Sequence, residues 1–151
     1  VCFRLATVFG FSYRMRSDVM VNNFVFSAVK DKKLKLFEPN FRRNFIHVRD
    51  VVDCILYTIN NFKKMKNNIY NAGLNSANIT KLQLAKLIKK QIKDLKLTTI
   101  KGIKDPDQRN YFVSNDKLKN KGFKAKRDLN EGIEELIKGF KVEGLKIKNN
   151  Y

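Results

Sequence analysis

Apolar residues in the first third of the chain follow two different spacings. Residues 1–10 (VCFRLATVFG) form a nearly continuous apolar run that ends at a glycine, a pattern typical of a strand buried on both faces of a parallel sheet. The segment 11–17 predicts a loop. From Asp18 to Lys30 the apolar side chains recur at helical spacing. The alternating segment KLKLF, residues 33–37, then predicts a strand with one exposed face.

The middle of the chain repeats this alternation. The short run FIHV, residues 45–48, predicts a strand, and Asp50 stands at a suitable N-cap position for the apolar helix that follows, residues 51–62. Residues 67–73 (NNIYNAG) predict another strand that ends in a glycine turn. Thr80 is then expected to cap a helix over residues 82–92.

The last third predicts shorter elements. Residues 95–100 predict a strand, and a loop with turn chemistry around Pro106 follows it. Two further helices and a frayed tail are expected: one opened by Asn115 or Asp116, one capped by Asn130, and a tail over residues 144–151. Because strands and helices alternate, the fold class is α/β or mixed.

Composition restricts the function classes. The chain has 151 residues, enough for one domain, and a formal net charge of +18 that would favour a polyanionic partner. The lysines are spread along the chain and fall on the polar faces of predicted helices, which indicates solvated helix surfaces more than a nucleic-acid interface. A nucleic-acid partner is therefore disfavoured, whereas small anionic ligands are favoured.

The cysteines and the apolar runs indicate the compartment. Cys2 and Cys54 both lie in apolar segments without CxxC spacing, so both are predicted to be reduced core residues of a cytoplasmic protein. No apolar run approaches the ~20 residues that a membrane span requires. A chain that opens with valine in a predicted buried strand is expected to be part of something larger.

Five segments, in this order and spacing, resemble one family. They are RLATVFG, MRSDVMVNNFV, KLKLF, RNFIHVRDV with IYNAG, and QRNYFVSNDKLKNKGF with the helix after it. The chain resembles the C-terminal half of an extended short-chain dehydrogenase/reductase, and more narrowly an NAD-dependent sugar-nucleotide epimerase or dehydratase. The resemblance implies the last strands of an NAD(P)-binding Rossmann-like sheet, residues 1–10 and 68–73. It also implies a small mixed α/β substrate domain, residues 11–48 and 74–143.

Two hallmarks of that family do not occur in these 151 residues. The sequence holds no glycine-rich dinucleotide fingerprint, and none of its five tyrosines is followed by lysine four residues later. The resemblance therefore implies that the proton-transfer pair and the NAD loop belong to a missing N-terminal Rossmann half. No catalytic residue is assigned here, and the isolated chain is expected to be inactive and to bind NAD or NADP poorly.

The resemblance implies a substrate role for several side chains. Arg43 matches the arginine that binds the sugar-nucleotide diphosphate, since its planar fork of donors fits phosphate oxygens. Arg109 matches a second arginine that faces either phosphate or ribose. Asn22 or Asn23 matches a phosphate-binding position on the helix. The alternatives are exposed loop arginines and polar helix surface.

Two further pairs complete the implied site. Leu36 and Phe37 match the strand beside the nucleotide base, although Phe37 is equally well explained as core. Thr7 and Val8 match the segment between nicotinamide and sugar, and are the cofactor-binding candidates. Glu38 departs from the glycine that the family usually has after this aromatic residue.

His47, the only histidine, requires a separate interpretation. No second histidine, cysteine cluster or Ser/His/Asp arrangement accompanies it, so no metal site is predicted. Between Ile46 and Val48 it is interpreted as a buried, hydrogen-bonded structural residue.

Three functions remain open from the sequence. The first is the substrate-binding part of a nucleotide-sugar epimerase or dehydratase, an isomerase, lyase or oxidoreductase whose full-length form could be a homodimer. The second is a basic, non-enzymatic module that binds polyanions or nucleic acid. The third is a structural subunit that completes a sheet with another chain.

Overall fold

The computed structural model describes residues 1–100, 102 and 109–142. The predicted turn at Pro106 and the tail from 144 lie outside these residues. The strands are β1 (Cys2–Leu5), β2 (Thr7–Phe9), β3 (Lys33–Phe37), β4 (Arg42–Arg43), β5 (Phe45–His47), β6 (Ile69–Ala72), β7 (Ile79–Thr80) and β8 (Lys96–Ile100). The helices are α1 (Met20–Asp31), α2 (Val48–Asn60), α3 (Phe62–Met65), α4 (Lys81–Gln91), α5 (Asp116–Asn120) and α6 (Leu129–Phe140), with a 3₁₀ turn at Asn75–Ala77.

The sheet pairings are mainly parallel. β1 pairs with β6, β2 with β5, and β3 with β8, all in parallel. The two-residue strands β4 and β7 pair antiparallel, with Arg43 opposite Ile79. Because parallel strands need crossover connections, helices separate most paired strands. This confirms the α/β class.

The first apolar run forms two strands where one was predicted. The N–H of Ala6 donates to the Ala72 carbonyl at 2.9 Å, and the N–H of Thr7 donates to the Asn44 carbonyl at 3.0 Å. The strand therefore exchanges β6 for β5 as its neighbour at Ala6. Successive residues of a strand direct their backbone groups to opposite edges, which permits this exchange within one residue.

The predicted burial of this run on both faces is wrong for β1. Leu5 is 50% exposed, and Cys2 is exposed as well, so Cys2 is not the core residue that the sequence predicted. Of the four residues in β1, only Phe3 packs against an apolar cluster. Cys54 is buried as predicted, and burial raises the pKa of its thiol to about 11.

Two apolar clusters hold the elements together. The larger one gathers side chains of α1, β3, α4 and α6, including Val25, Leu36, Leu84 and Ile133. The smaller one joins α2 to β6 and α5, through Cys54, Tyr70 and Leu118 among others. The KLKLF strand lies at the predicted residues, with Leu34 and Leu36 buried and the lysines exposed.

Helix starts agree with the sequence only in part. Thr80 caps α4 as predicted, with Gln83 completing a capping box. His47, rather than Asp50, caps α2, because its Nδ1 accepts the N–H of Arg49 at 3.2 Å. Asp128, rather than Asn130, caps α6 in a box with Glu131. No helix in the described ranges is long and apolar enough to cross a membrane.

Candidate functional site

A cavity of about 370 Å³ opens where β2 ends and α1 begins. Its lining includes Thr7, Val8, Gly10, Ser12, Arg14, Arg16, Asn22 and Val48. The two predicted cofactor residues and one predicted substrate residue therefore meet in one place. The carboxyl ends of parallel strands are where α/β proteins usually bind ligands, and β2 is parallel to β5 here.

Asn22 shapes one wall of this cavity. Its side chain is 3% exposed; Oδ1 accepts the N–H of Gly10 at 3.1 Å, and Nδ2 donates to the Arg16 carbonyl at 2.8 Å. Both polar atoms thus hold the loop between β2 and α1 in place. A buried amide satisfied on both sides fixes a loop more firmly than one in solvent.

Two arginines come from that loop. The Arg16 guanidinium forms a bidentate pair with Asp18, with Nε 3.1 Å from Oδ1, and this hydrogen bonding lowers the pKa of the Asp18 carboxyl. Arg14 is exposed and lines the same cavity. The loop therefore provides positive charge at the cavity while Asp18 compensates part of it.

A second group of side chains, which includes the predicted residues Phe37 and Arg43, lies around β4. Lys81, only 2% exposed, donates from Nζ to the Phe37 carbonyl at 3.2 Å, and its Nζ lies 5.6 Å from the centre of the Phe41 ring. The end of β3, the start of α4 and the segment before β4 are thereby joined. A buried ammonium is costly to desolvate unless it is well paired, so this placement is tightly determined.

Arg43 belongs to the same neighbourhood and is 1% exposed. One terminal nitrogen donates to the Arg42 carbonyl at 3.1 Å, and its guanidinium carbon lies 5.5 Å from the centre of the Tyr111 ring. The N–H of Tyr111 donates to the Arg42 carbonyl at 3.3 Å, which places the segment carrying Arg109 beside β4. Arg109 itself is exposed. We call Phe37, Lys81, Arg43 and Tyr111 the β4 cluster.

The other predicted residues lie apart from both groups. Asn23 is exposed on α1 and lines a separate cavity of about 330 Å³, which also contacts Lys33 and Lys35. Leu36, 1% exposed, belongs to the larger apolar cluster. Glu38 adopts a left-handed backbone with φ 46°, the conformation that favours the glycine usual in the resembled family.

Lys81 and Tyr111 were not among the predicted site residues. A lysine directly after an N-cap is a weak signal, because positive charge in the first turn opposes the helix dipole. Only the fold reveals that the side chain is buried against the end of β3. Nothing local in the sequence distinguishes Tyr111 from an ordinary loop residue.

His47 is the buried structural residue that the sequence predicted. It is 1% exposed, its Nδ1 accepts a backbone N–H from α2, and its ring meets that of Phe9 edge-on with centroids 5.4 Å apart. Its Nε2 lies 3.0 Å from Oε2 of Glu135 on α6. Burial lowers the pKa of this imidazole, although the Glu135 carboxylate opposes the effect.

Comparison with known proteins agrees with this geometry. Residues 1–73 match the NAD dependent epimerase/dehydratase family. This match to the epimerase/dehydratase family covers β1 to β6 and therefore includes the β2 cavity and Arg43 of the β4 cluster. GDP-L-colitose synthase of Yersinia pseudotuberculosis is 37% identical over 110 residues, which are 72% of this chain and 33% of that protein.

Solved structures of epimerases share the fold. UDP-glucose 4-epimerase of Thermotoga maritima, determined with UDP-glucose, matches 91% of this chain and 44% of its own, with a TM-score of 0.75 and 24% identity. UDP-glucose 4-epimerase of Thermus thermophilus, in complex with NAD, matches 91% of this chain and 45% of its own, with a TM-score of 0.72 and 19% identity. The protein has their Rossmann-like α/β fold. The chain spans between a third and a half of the length of these relatives.

Proposed function

We propose that this chain is the substrate-binding part of an NAD-dependent enzyme that epimerises or dehydrates a nucleotide sugar. The observation that carries the proposal is the cavity at the end of β2, where Thr7, Val8 and Asn22 meet. The family match over residues 1–73 supports the same reaction class. Isomerase, lyase and oxidoreductase outcomes all involve hydride transfer at a sugar carbon.

The residues of this cavity fit one end of a dinucleotide. Thr7 and Val8 are half-buried at its wall, and Gly10 lies beside them with φ 127°. A Cβ at Gly10 would stand 2.7 Å from His47 Nε2, so the backbone can pass closely here only as glycine. When bound, the nicotinamide supplies reversible hydride acceptance. Thr7 and Val8 would contact that ring, while the dinucleotide phosphates require a glycine-rich loop that these 151 residues do not contain.

The substrate's diphosphate would be held by cations of the chain. Arg43 presents a guanidinium already oriented by the Arg42 carbonyl and the Tyr111 ring. Arg109 lies two residues before Tyr111 in the chain and is the second proposed cation. A guanidinium oriented in this way loses little entropy when it binds phosphate. Asn23 remains a proposed phosphate contact from α1, and Phe37 a proposed contact to the base. Leu36 supports Phe37 from the core.

We assign the parts of the chain as follows. Residues 1–10 and 68–73, which contain the β1–β6 pair, are the Rossmann-sheet part; residues 11–48 and 74–143 are mainly the substrate part. The proton-transferring tyrosine and lysine, together with the NAD loop, would come from a Rossmann-type half. A cytoplasmic location and a homodimer of the full-length enzyme complete the proposal.

The polyanion-binding alternative has less support. The exposed lysines lie on separate elements, such as Lys33 and Lys35 on β3 and Lys89 and Lys90 on α4. This spread is typical of solvated surfaces, whereas a nucleic-acid interface concentrates its cations on one face.

Calorimetric titration of the purified chain tests the proposal. The ligands are UDP-glucose, dTDP-glucose, GDP-mannose, NAD and a generic RNA oligonucleotide. We expect measurable binding of at least one nucleotide sugar, weaker binding of NAD, and no turnover without a Rossmann-type half. Failure of all three nucleotide sugars to bind, or tight RNA binding that falls steeply with salt, would overturn it.

A further inference from the structure

Asparagine side chains attach residues 109–115 to the rest of the fold. This segment forms neither a helix nor a strand, yet it carries Tyr111 and the proposed phosphate contact Arg109. Backbone N–H and carbonyl groups beside a packed core need hydrogen-bond partners, and here side-chain amides provide several of them. The asparagines that bond to this segment or reach out from it include Asn71, Asn75, Asn78 and Asn110.

Asn78 makes a two-bond pairing with the segment. Its Nδ2 donates to the Val113 carbonyl at 2.9 Å, and its Oδ1 accepts the Val113 N–H, also at 2.9 Å. The side-chain amide therefore pairs with Val113 as the peptide group of a neighbouring strand would. Nδ2 also donates to the Asn75 carbonyl at 3.1 Å, and Asn78 is 8% exposed. Both polar atoms of a buried amide are thus satisfied, which makes the loss of either partner costly.

Strand β4 holds the same segment two residues earlier. The N–H of Arg42 donates to Asn110 Oδ1 at 2.9 Å, and the Arg42 carbonyl accepts the N–H of Tyr111 at 3.3 Å. That carbonyl also accepts a hydrogen bond from the Arg43 guanidinium at 3.1 Å. Tyr111 therefore lies between the attachment to β4 and the attachment at Val113. Its ring centre is 5.5 Å from the guanidinium carbon of Arg43.

We infer that Asn78 is a positioning residue, which fixes the Tyr111 ring beside the Arg43 guanidinium and thereby raises the affinity for the diphosphate of a nucleotide sugar. An aromatic ring that contacts a guanidinium favours one orientation of its planar fork. A side chain that is ordered before binding loses less entropy when the ligand arrives. The identity of the ligand rests on the proposed function, whereas the placement of Tyr111 by Asn78 does not.

Asn78→Ala is the test variant, and Asn71→Ala is the matched control. The first removes both bonds to Val113, whereas the second removes the bond from Asn71 Nδ2 to the Ser114 carbonyl at 3.0 Å, in the same segment. Circular dichroism melting of the 151-residue chain verifies that the variants are folded. If Asn78→Ala does not fold, Asn78→Asp replaces it, because aspartate accepts the Val113 N–H but cannot donate to the Val113 carbonyl. Only the NMR spectrum is then compared, since the added charge repels phosphate.

The Nε–Hε resonance of Arg43 reports the position of the Tyr111 ring without any ligand. Tyr111→Leu gives the resonance position in the absence of the ring. We expect the resonance to move towards that position in Asn78→Ala and to stay in place in Asn71→Ala. In a chain that already carries Tyr111→Leu, adding Asn78→Ala should leave it unchanged. An unmoved resonance in Asn78→Ala, or an equal shift in Asn71→Ala, overturns the inference, because a role for Asn78 in stability alone predicts that result.

Calorimetric titration with UDP-glucose, dTDP-glucose and GDP-mannose measures the effect on binding. We expect Kd to rise about threefold or more in Asn78→Ala, and to rise no further when Asn78→Ala is added to Tyr111→Leu. Asn71→Ala should leave Kd unchanged. A shifted resonance with an unchanged Kd, or additive rises in the double variant, would remove Asn78 from the site. If the unmodified chain binds none of the three sugars, the proposed function fails, and the Arg43 resonance alone decides whether Asn78 places Tyr111.

Discussion

Nε2 of His47 lies 3.0 Å from Oε2 of Glu135, and this contact joins β5 to α6. The other ring nitrogen accepts the N–H of Arg49 at 3.2 Å, which leaves the proton of the neutral ring on Nε2, facing the carboxylate. Since the ring is 1% exposed, burial favours this neutral form and lowers the pKa of His47. The contact predicts a pH dependence of stability.

A lowered histidine pKa makes the folded state lose stability in acid. Below about pH 6.5 the histidine of the unfolded chain takes up a proton that folded His47 does not. The free energy of unfolding therefore decreases as the pH is lowered, until the lowered pKa of folded His47 is reached. This one group contributes at most about 1.4 kcal/mol per pH unit. Urea unfolding between about pH 7.5 and about pH 5 measures the loss.

Glu135→Gln should enlarge that acid loss, because the carboxylate is the main group that favours imidazolium. The matched control is Glu134→Gln, which removes an exposed carboxylate paired with Lys138 at 2.6 Å. We expect about 1 kcal/mol more acid loss in Glu135→Gln than in the control. Equal losses in the two variants would contradict the role assigned to this pair.

Asp50→Asn should destabilise the fold substantially. Asp50 is 1% exposed; its carboxylate accepts the backbone N–H of Lys126 at 3.2 Å and of Arg127 at 3.0 Å, and the Arg127 guanidinium at 2.8 Å. These contacts join α2 to the segment before α6. We expect a loss of about 2–3 kcal/mol in the free energy of unfolding, since Arg127 is partly exposed and the pair is partly screened.

Asp53→Asn is the control for Asp50. Asp53 also contacts the Arg127 guanidinium, at 2.7 Å, but its side chain is 44% exposed. Its loss should cost less than about 1 kcal/mol. If urea unfolding gave the two variants the same cost, burial would not be what makes Asp50 important.

Gly73→Ala should be strongly destabilising. A Cβ at this position would overlap Asn44 Oδ1 and stand 2.9 Å from Asn115 Oδ1, and both asparagines are buried. We expect a loss of about 2–4 kcal/mol, because the amide network would have to move. Ser76→Ala, at an exposed position of the same segment, should stay within about 0.5 kcal/mol of the unmodified chain. A well-folded Gly73→Ala of unchanged melting temperature would exclude this tight packing.

Arg43→Lys should weaken nucleotide-sugar binding. Lysine keeps the charge but loses the planar fork and its contact with the Tyr111 ring, so we expect about a tenfold rise in Kd or more. The neighbouring Arg42→Lys is the control, because Arg42 uses a guanidinium nitrogen on the Asn78 carbonyl at 3.3 Å instead. Calorimetry on folded variants measures both. Unchanged affinity in Arg43→Lys would remove Arg43 from the proposed site.

The sequence by itself determined the elements whose periodicity is strong. The helices α1 and α4, the strands β3 and β8, the Thr80 cap and the buried role of His47 could all be predicted. Each depends on the spacing of apolar side chains or on a hydrogen bond that closes within one helical turn. Such local signals are complete within a few residues of the chain.

The tertiary structure alone decided contacts between residues far apart in sequence. Neighbouring residues in the sequence do not predict three features of the fold. These are the change of strand partner at Ala6, the exposure of β1 and the burial of Lys81. The sequence predicted Asp50 as a helix N-cap, but its carboxylate accepts backbone N–H groups that are 76 and 77 residues away in the sequence. His47 caps the helix instead. Side-chain spacing predicts which face of an element is apolar, but only the packed fold determines which element or solvent meets that face.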